Sequence, residues 1–328
     1  MAEKATDAII NLIAVIVAVT DEVPRILVID YNDQCALPNG PFSPRDHASL
    51  EEGLRRMVEM RTGLDLAYVE QLYTFGNRYR DPIEIAGGPR VVSIAYIALT
   101  RQDPVDAAGV RWGDWYRFLP WEDWRTGRPR VIDKSIEPAL QRWVRQAGKP
   151  RRRKDRQQRL NVTFGDYRAT EIDAILSLER FELLYEAGLV AEAHMTTQFA
   201  VDVTHTKGGS DLLAATGIPM VSDHRRVLAT ALGRLRGKLA YRPVVFELLP
   251  GEFTLLQLQR VAEALGGARL HKQNFRRLVA NADLVEAIGR TTAIGRGRPA
   301  ELFRFRREVL GEKVTVGLSR PIMRSEYS

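Results

Sequence analysis

The sequence is poor in cysteine and in long apolar runs, and each shortage excludes a class of protein. Cys35 is the single cysteine of the 328 residues, so an internal disulfide and a cysteine metal cluster are excluded. The longest apolar run, Ala8 to Val19, is too short to span a bilayer as a helix. Asp7 and Asp21 flank this run, which favours a buried strand over a signal peptide. We therefore expect a cytoplasmic protein that does not bind membranes.

Several enzyme signatures are also missing. We find no internal repeat, no glycine-rich phosphate loop of the dinucleotide-binding type, and no serine, histidine and aspartate at diagnostic spacing. What the sequence has is positive charge, with 48 Lys and Arg against 41 Asp and Glu, and the arginines concentrate after Lys134. This asymmetry predicts a polyanionic partner such as nucleic acid, although a solvated basic surface fits the charge equally well.

The first hundred residues predict a mixed α/β domain. Two apolar strands on either side of Asp21 and Glu22 form a hairpin, and a loop rich in proline and glycine follows. Ser49 with Glu52 three positions later has the spacing of a capping box, and Gly63 supplies the end of the helix. Two more strands complete a sheet, which leaves the loop and helix positioned to form a ligand site.

The stretch from Thr254 to Arg306 predicts a winged helix-turn-helix. Thr254 caps a first helix that ends at Gly267, and a second helix begins near His271. Two strands around "AIGRGRP" then form a wing. The candidate DNA-binding residues have side chains suited to base edges or phosphates, and they are Lys272, Gln273, Asn274, Arg276, Arg277, Arg296 and Arg298. A basic helical domain that binds a protein is the alternative.

The stretch "LPNG" followed by "SLEEGLRRMVEMRTGL" resembles a degenerate Nudix box, the loop and helix of pyrophosphate hydrolases. In active members, glutamates of an Arg-Glu-x-x-Glu-Glu segment bind the catalytic metals. Arg56 matches the arginine here, but Met57, Met60 and Arg61 occupy the carboxylate positions on one helix face. Thioethers and a guanidinium do not bind Mg²⁺, which requires oxygen ligands. We therefore expect no hydrolysis, no catalytic residue, no metal and no cofactor.

Both halves together resemble the Nudix-related transcriptional regulators of NAD biosynthesis and of some sugar pathways. The resemblance runs through "QLYTFGNRYRD", "DHRRVLATALGRLRGKLAY", "HKQNFRR" and "GRGRPAELFRF". It implies an α/β (α+β) fold, a Nudix-like α/β/α sandwich followed by a winged helix-turn-helix domain. It also implies a homodimeric repressor on double-stranded DNA with a palindromic operator, released by ADP-ribose or a related nucleotide. Arg56, Arg61 and Arg78 are the candidate ligand-binding residues, because guanidinium groups suit phosphate oxygens.

The resemblance is interrupted by an inserted segment. We expect a ligand-sensing domain over 1–125, the insertion over 126–220, a dimerisation or linker helix over 221–240, the winged helix over 241–310 and a tail over 311–328. The basic run from Lys149 to Arg159 is either an exposed linker or an extra phosphate-contacting arm.

Two other functions stay open at the level of the sequence. One is a metal-dependent Nudix-type hydrolase that uses Glu51, Glu52 or Glu59 as displaced metal ligands. A DNA-binding protein that senses a sugar phosphate, or one with a vestigial pocket, fits the same motifs.

Overall fold

The computed structural model describes residues 8–31, 34–165, 173–195, 209–239, 244–292 and 299–306. Within these ranges the N-terminal part is a seven-stranded sheet. Its strands are β1 (Ala8–Thr20), β2 (Val23–Tyr31), β3 (Gln34–Ala36), β4 (Asn39–Pro41), β5 (Tyr68–Phe75), β6 (Arg90–Leu99) and β7 (Val110–Asp114).

The sheet is organised around β1, which pairs antiparallel with β2 and β4 and parallel with β6. Asp21 and Glu22 have φ values of 51° and 62°, the backbone that closes a two-residue hairpin with the twist of its strands. Residues 12–18 are buried in an unbroken run, as expected for a strand covered on both faces. The predicted hairpin is confirmed.

Helix α1 (Leu50–Thr62) covers one face of the sheet. The Ser49 side chain accepts a hydrogen bond from the backbone N–H of Glu52, and Gly63 ends the helix with a φ of 72°. Leu54 and Val58 pack with apolar side chains of β1 and β6. The structure therefore confirms the predicted helix together with both of its ends.

Helices of the inserted segment, together with the helix that follows it in the chain, cover the other face of the sheet. The helices between α1 and the winged helix are α2 (Pro82–Ile85), α3 (Glu137–Arg145), α4 (Pro150–Phe164), α5 (Ser177–Glu186), α6 (Glu192–Met195), α7 (Gly209–Ala215) and α8 (His224–Leu239). Side chains of α3, α4, α5 and α8 join one continuous apolar cluster with the sheet and the winged helix. The insertion is thus part of a shared core.

The basic run of the insertion belongs to α4, so its interpretation as an exposed linker is wrong. Leu160, Thr163 and Phe164 are buried at the C-terminal end of this helix and anchor it to its neighbours. Charge composition alone suggested a linker, but these apolar residues lie just beyond the run and allow the helix to pack.

Helix α8 is the segment predicted to mediate dimerisation. Its apolar residues, including Val227, Leu228, Leu232 and Leu235, are buried by other parts of the same chain. A contact between two copies through α8 would have to use its more polar positions. The helix itself is confirmed, and its role in dimerisation stays a prediction.

The winged helix consists of α9 (Leu255–Gly266), α10 (Lys272–Ala282), β8 (Val285–Thr292) and β9 (Ala300–Phe305). Thr254 and Gln257 form a reciprocal capping box at the start of α9. Strands β8 and β9 pair antiparallel, and Phe305 stacks on Phe246 with ring centroids 4.2 Å apart. The predicted order of an α/β/α sandwich followed by a winged helix is confirmed.

Across the described ranges, none of the helices combines the length and the apolarity that crossing a bilayer requires. The tail expected over 311–328 and the stretch "TTQFAVDVTHTKG" of the insertion lie outside the described residues.

Candidate nucleic-acid interface and ligand site

Helix α10 has one apolar face and one polar face. Phe275 and Val279, four positions apart, are buried and fix the helix on the rest of the winged helix. Gln273, Arg276 and Arg277 are exposed on the other side, and Lys272 is exposed at the first position of the helix. This arrangement presents cationic and amide side chains to solvent on a rigid support, as a helix that enters the major groove requires.

The remaining predicted DNA-binding residues differ in their surroundings. Arg277 is exposed, and its Nη2 atom lies 3.5 Å from Oδ1 of the half-buried Asn274, to which it donates. Asn274 is therefore oriented by its neighbour on the same helix. Arg296 and Arg298 of the wing lie outside the described residues.

The C-terminal end of α9 is held by the sheet domain and by α8. The Tyr116 hydroxyl donates to the carbonyl of Ala264 at 2.7 Å, and Nε of Arg236 donates to the carbonyl of Leu265 at 3.1 Å. The backbone N–H of Trp124 donates to the carbonyl of Gly267 at 2.7 Å. Carbonyls at a helix end lack partners within the helix, so these three bonds complete α9 from outside the winged helix.

Glu122 joins this contact to the insertion. Its carboxylate is fully buried, accepts from Nε of Arg180 at 2.6 Å and also binds Nη1 of Arg236. The Ser177 hydroxyl donates to it at 3.1 Å. Burial alone would raise the pKa of Glu122, but the two guanidinium groups outweigh burial and hold the pKa below its usual value. One charged group therefore ties α5, α8 and the sheet domain together beside the helix-turn-helix.

Met57, Met60 and Arg61 of the Nudix-like helix α1 have different surroundings. Met57 is buried beneath strand β4 at Gly40, where a methyl group on Gly40 would lie 2.9 Å from Cγ of Met57. Arg61 lies beside the same strand and is exposed, whereas Met60 points into solvent with 84% of its surface exposed. The three positions therefore do not share one environment, although their spacing placed them on one face.

Two of the three glutamates of α1 are paired with arginines of the same helix, and the third, Glu59, is exposed. Glu51 binds Arg55 at 2.8 Å, and Glu52 binds Arg56 at 2.7 Å. Glu52 also accepts from the backbone N–H of Ala48 at 2.8 Å. In the part of the chain that the structure describes, no group of three or more His, Cys, Asp or Glu side chains is arranged to hold a metal ion.

The three candidate ligand-binding arginines lie in different places. Arg56 is paired with Glu52 and is half-exposed, and Arg61 lies five positions later, about 140° away around the helix axis. Arg78 is exposed in the turn that follows β5. Of the three, Arg61 approaches strand β4 at Gly40, and the role of each arginine stays a prediction.

Sequence reasoning missed the buried ion pairs that join the elements. Arg80 binds both carboxylate oxygens of Asp223 at 2.6 Å, which connects the turn after β5 with the start of α8. Arg225 similarly binds Glu192 of α6 with both groups fully shielded from solvent. The partners of the first pair are 143 positions apart, so no local spacing could have revealed them.

Comparison with known proteins identifies what this chain is similar to. Residues 245–305 match the family model described as the NrtR DNA-binding winged helix domain. The ADPR responsive transcriptional repressor NtrR of Acinetobacter baylyi is 35% identical over 91 residues, 28% of this chain and 36% of that protein. The match thus spans about a third of the relative's length.

Solved structures extend the likeness over both parts of the fold. NrtR of Shewanella oneidensis, crystallised with a 27mer DNA, covers 94% of this chain and 98% of its own, with a TM-score of 0.55 and 20% identity. A MutT/nudix family protein of Enterococcus faecalis covers 93% of this chain and 89% of its own, with a TM-score of 0.52 and 15% identity. The fold is that of a Nudix-like domain followed by a winged helix. The winged helix is of the NrtR type, which confirms the resemblance to the Nudix-related regulators.

Proposed function

We propose that this chain is a ligand-responsive transcriptional repressor that binds a palindromic operator as a homodimer. The observation that carries the proposal is α10, whose apolar face is buried while Lys272, Gln273, Arg276 and Arg277 face solvent. The NrtR-type winged helix and the name of the Acinetobacter relative support the same function. The effector is ADP-ribose or another nucleoside diphosphate derivative bound by the Nudix-like domain.

We further propose that the Nudix-like domain binds this effector without cleaving it. Met57, Met60 and Arg61 supply no carboxylate, and Glu51 and Glu52 are paired with arginines of their own helix. Incubation of the protein with ADP-ribose and Mg²⁺ or Mn²⁺ should release no AMP. Metal-dependent release of AMP that is lost in Glu52→Ala would instead establish the hydrolase.

We propose a ligand-sensing domain over 1–125, an inserted segment over 126–220, a dimerisation or linker helix over 221–240, a winged helix over 241–310 and a tail over 311–328. The bounds of the described helices and strands support this division. The shared core means that these are functional units of one body.

The test is fluorescence anisotropy of a labelled duplex taken from upstream of the protein's own gene and from further candidate promoters. A random duplex of equal length is the control, and all titrations use the same salt because affinity for DNA depends on it. Specific binding that ADP-ribose reverses is the expected result. Specific binding reversed by a sugar phosphate alone would reassign the effector, and equal affinity for all duplexes would remove the proposed function.

A further inference from the structure

Helices α3 and α4 together form a strongly basic surface, which we call the α3–α4 surface. Helix α4 carries six Arg and Lys residues and a single acidic residue, Asp155, and no acidic residue stands in its first turn. The cations at the end of α3, in the connection and at the start of α4 are all exposed, and they are Arg142, Arg145, Lys149, Arg151, Arg152, Arg153 and Lys154.

Three cations of α4 have structural partners among the described residues. Arg153 donates to the carbonyl of Arg145 at 3.3 Å. Arg156 donates to the carbonyl of Trp143 at 2.6 Å and lies over its ring, and Arg159 pairs with Glu186 of α5. Among the residues that the structure describes, Arg151, Arg152 and Lys154 form no ion pair with a carboxylate. Positive charge at a helix N-terminus opposes the helix dipole, so this first turn carries an electrostatic cost.

The groove between the two helices combines cationic, amide and apolar side chains. It is lined by Arg145, Arg153 and Lys154, by amides that include Gln141, Gln157 and Asn161, and by Val144, Pro150 and Val162, with no acidic residue among them. Amide and cationic side chains are those that contact the phosphate and sugar backbone of nucleic acids.

Other partners fit this surface less well. The core of a protein interface is depleted in charge and rich in aromatic anchors, and no aromatic side chain lines this groove. A basic helix that lies on a membrane needs a free apolar face, but Leu160 and Phe164 of α4 are buried in the shared core. The cations extend over two helices, too wide a spread for a single phosphate.

The position of α4 connects this surface with the winged helix. The carbonyl of Thr163 accepts from Arg180 at 3.2 Å, and Arg180 shares Glu122 with Arg236, which donates to Leu265 at the end of α9. Helix α4 is about 22 Å long, so its basic start lies about 20 Å along the helix from Thr163, where this chain of contacts begins. That length is shorter than one turn of duplex DNA, about 34–36 Å.

We propose that the α3–α4 surface is a second DNA contact, which binds backbone phosphates beside the base pairs that α10 reads. This inference rests on the proposed function, because it assigns the surface to the same DNA. It predicts a sequence-independent contribution to affinity, since phosphate contacts carry no base information.

The test compares the full chain with the triple variant Arg151→Gln, Arg152→Gln and Lys154→Gln. The matched control is Arg45→Gln, Arg101→Gln and Arg117→Gln, which removes the same charge from exposed positions of the sheet domain. Neither variant should have a thermal midpoint below that of the unchanged chain, because the substituted side chains form no hydrogen bond or ion pair with the described residues and the cations at the start of α4 oppose the helix dipole. Affinity is measured at several salt concentrations, on a promoter duplex that the unchanged chain prefers and on a random duplex.

The surface variant should lose affinity about 10- to 100-fold on both duplexes, and its slope of log K against log salt should be smaller by about 0.9 for each lost phosphate contact. Its preference for the promoter duplex should remain unchanged, and the control should match the unchanged chain. Extending the duplex by about 10 base pairs on each side should strengthen binding only when the surface is intact. Slopes that agree within about 0.5 between the surface variant and the unchanged chain would overturn this inference alone. If the unchanged chain binds promoter and random duplexes with equal affinity, the proposed function is overturned.

Discussion

The contact between the sheet domain and the helix-turn-helix can be tested at Gly267. This residue ends α9 with a φ of 71°, and a methyl group built on it would lie 2.3 Å from Nη2 of Arg236 and 2.5 Å from the carbonyl oxygen of Glu122. Gly63 ends α1 with nearly the same φ of 72°, but a methyl group there meets nothing within 4 Å. The two glycines therefore share a backbone conformation and differ in their surroundings.

Substitution of each glycine by alanine separates the backbone cost from the packing cost. A left-handed backbone costs a residue with a Cβ atom about 1–2 kcal/mol, and this is the whole effect expected for Gly63→Ala. Gly267→Ala adds the cost of overpacking, about 1–3 kcal/mol, so its total should be about 2–5 kcal/mol. The Glu122 carbonyl belongs to the backbone and cannot move aside as a side chain would.

The measurement is urea unfolding of both variants and of the unchanged chain, followed by far-UV circular dichroism at pH 7. The difference between the two variants reports the contact directly, because the backbone term cancels. If both variants lose the same free energy of unfolding within about 0.5 kcal/mol, the packing of the turn against Arg236 and Glu122 is refuted.

Three further predictions concern other buried or exposed groups. Glu122→Gln should lower the free energy of unfolding by about 3–5 kcal/mol, because it leaves two buried guanidinium groups without their countercharge. A loss below about 1 kcal/mol in urea unfolding would contradict this prediction. Burial lowers the pKa of His224 from 6.5 to about 4, so the unfolded chain takes up a proton near pH 6.5 and the folded chain only near pH 4. The free energy of unfolding should therefore fall by about 3 kcal/mol as the pH drops from 6.5 to 4. His224→Asn should lose this part of the pH dependence, and its side chain keeps an acceptor for the N–H of Leu37. Arg276→Ala should weaken binding to a specific promoter duplex by about 1–3 kcal/mol in anisotropy titrations, and an equal loss on random DNA would mean that Arg276 contacts only phosphate.

Local patterns in the sequence were sufficient to predict the helices and strands and the residues at which the helices end. Ser49, Gly63, Thr254 and Gly267 act at helix ends through bonds to residues within a few positions, and such signals are readable in one dimension. The two faces of α10 were predictable for the same reason.

Long-range pairing was not predictable in this way. Glu122 meets Arg180 and Arg236, which are 58 and 114 positions away, and a single arginine in an arginine-rich chain gives no sign of its partner. The basic run was misjudged because its charge concealed the apolar anchor at Leu160 and Phe164. The face of α1 was predicted from spacing, but Met57 is buried beneath strand β4 at Gly40 while Met60 is exposed, and spacing alone does not show which neighbour covers a helix position.

The three hydrogen bonds at the C-terminal end of α9 limit how far the winged helix can move relative to the sheet domain. They join α9, the first helix of the helix-turn-helix, to the sheet domain and to α8, so within the described residues these parts form one stiff arm. In a dimer, a small tilt of such an arm at its base becomes a larger displacement at its tip. Half-sites on a palindrome are spaced by whole helical turns, so a change of a few ångströms between two tips is enough to spoil simultaneous docking. If each copy is rigid, the effector would act by changing the contact between the two copies of the dimer.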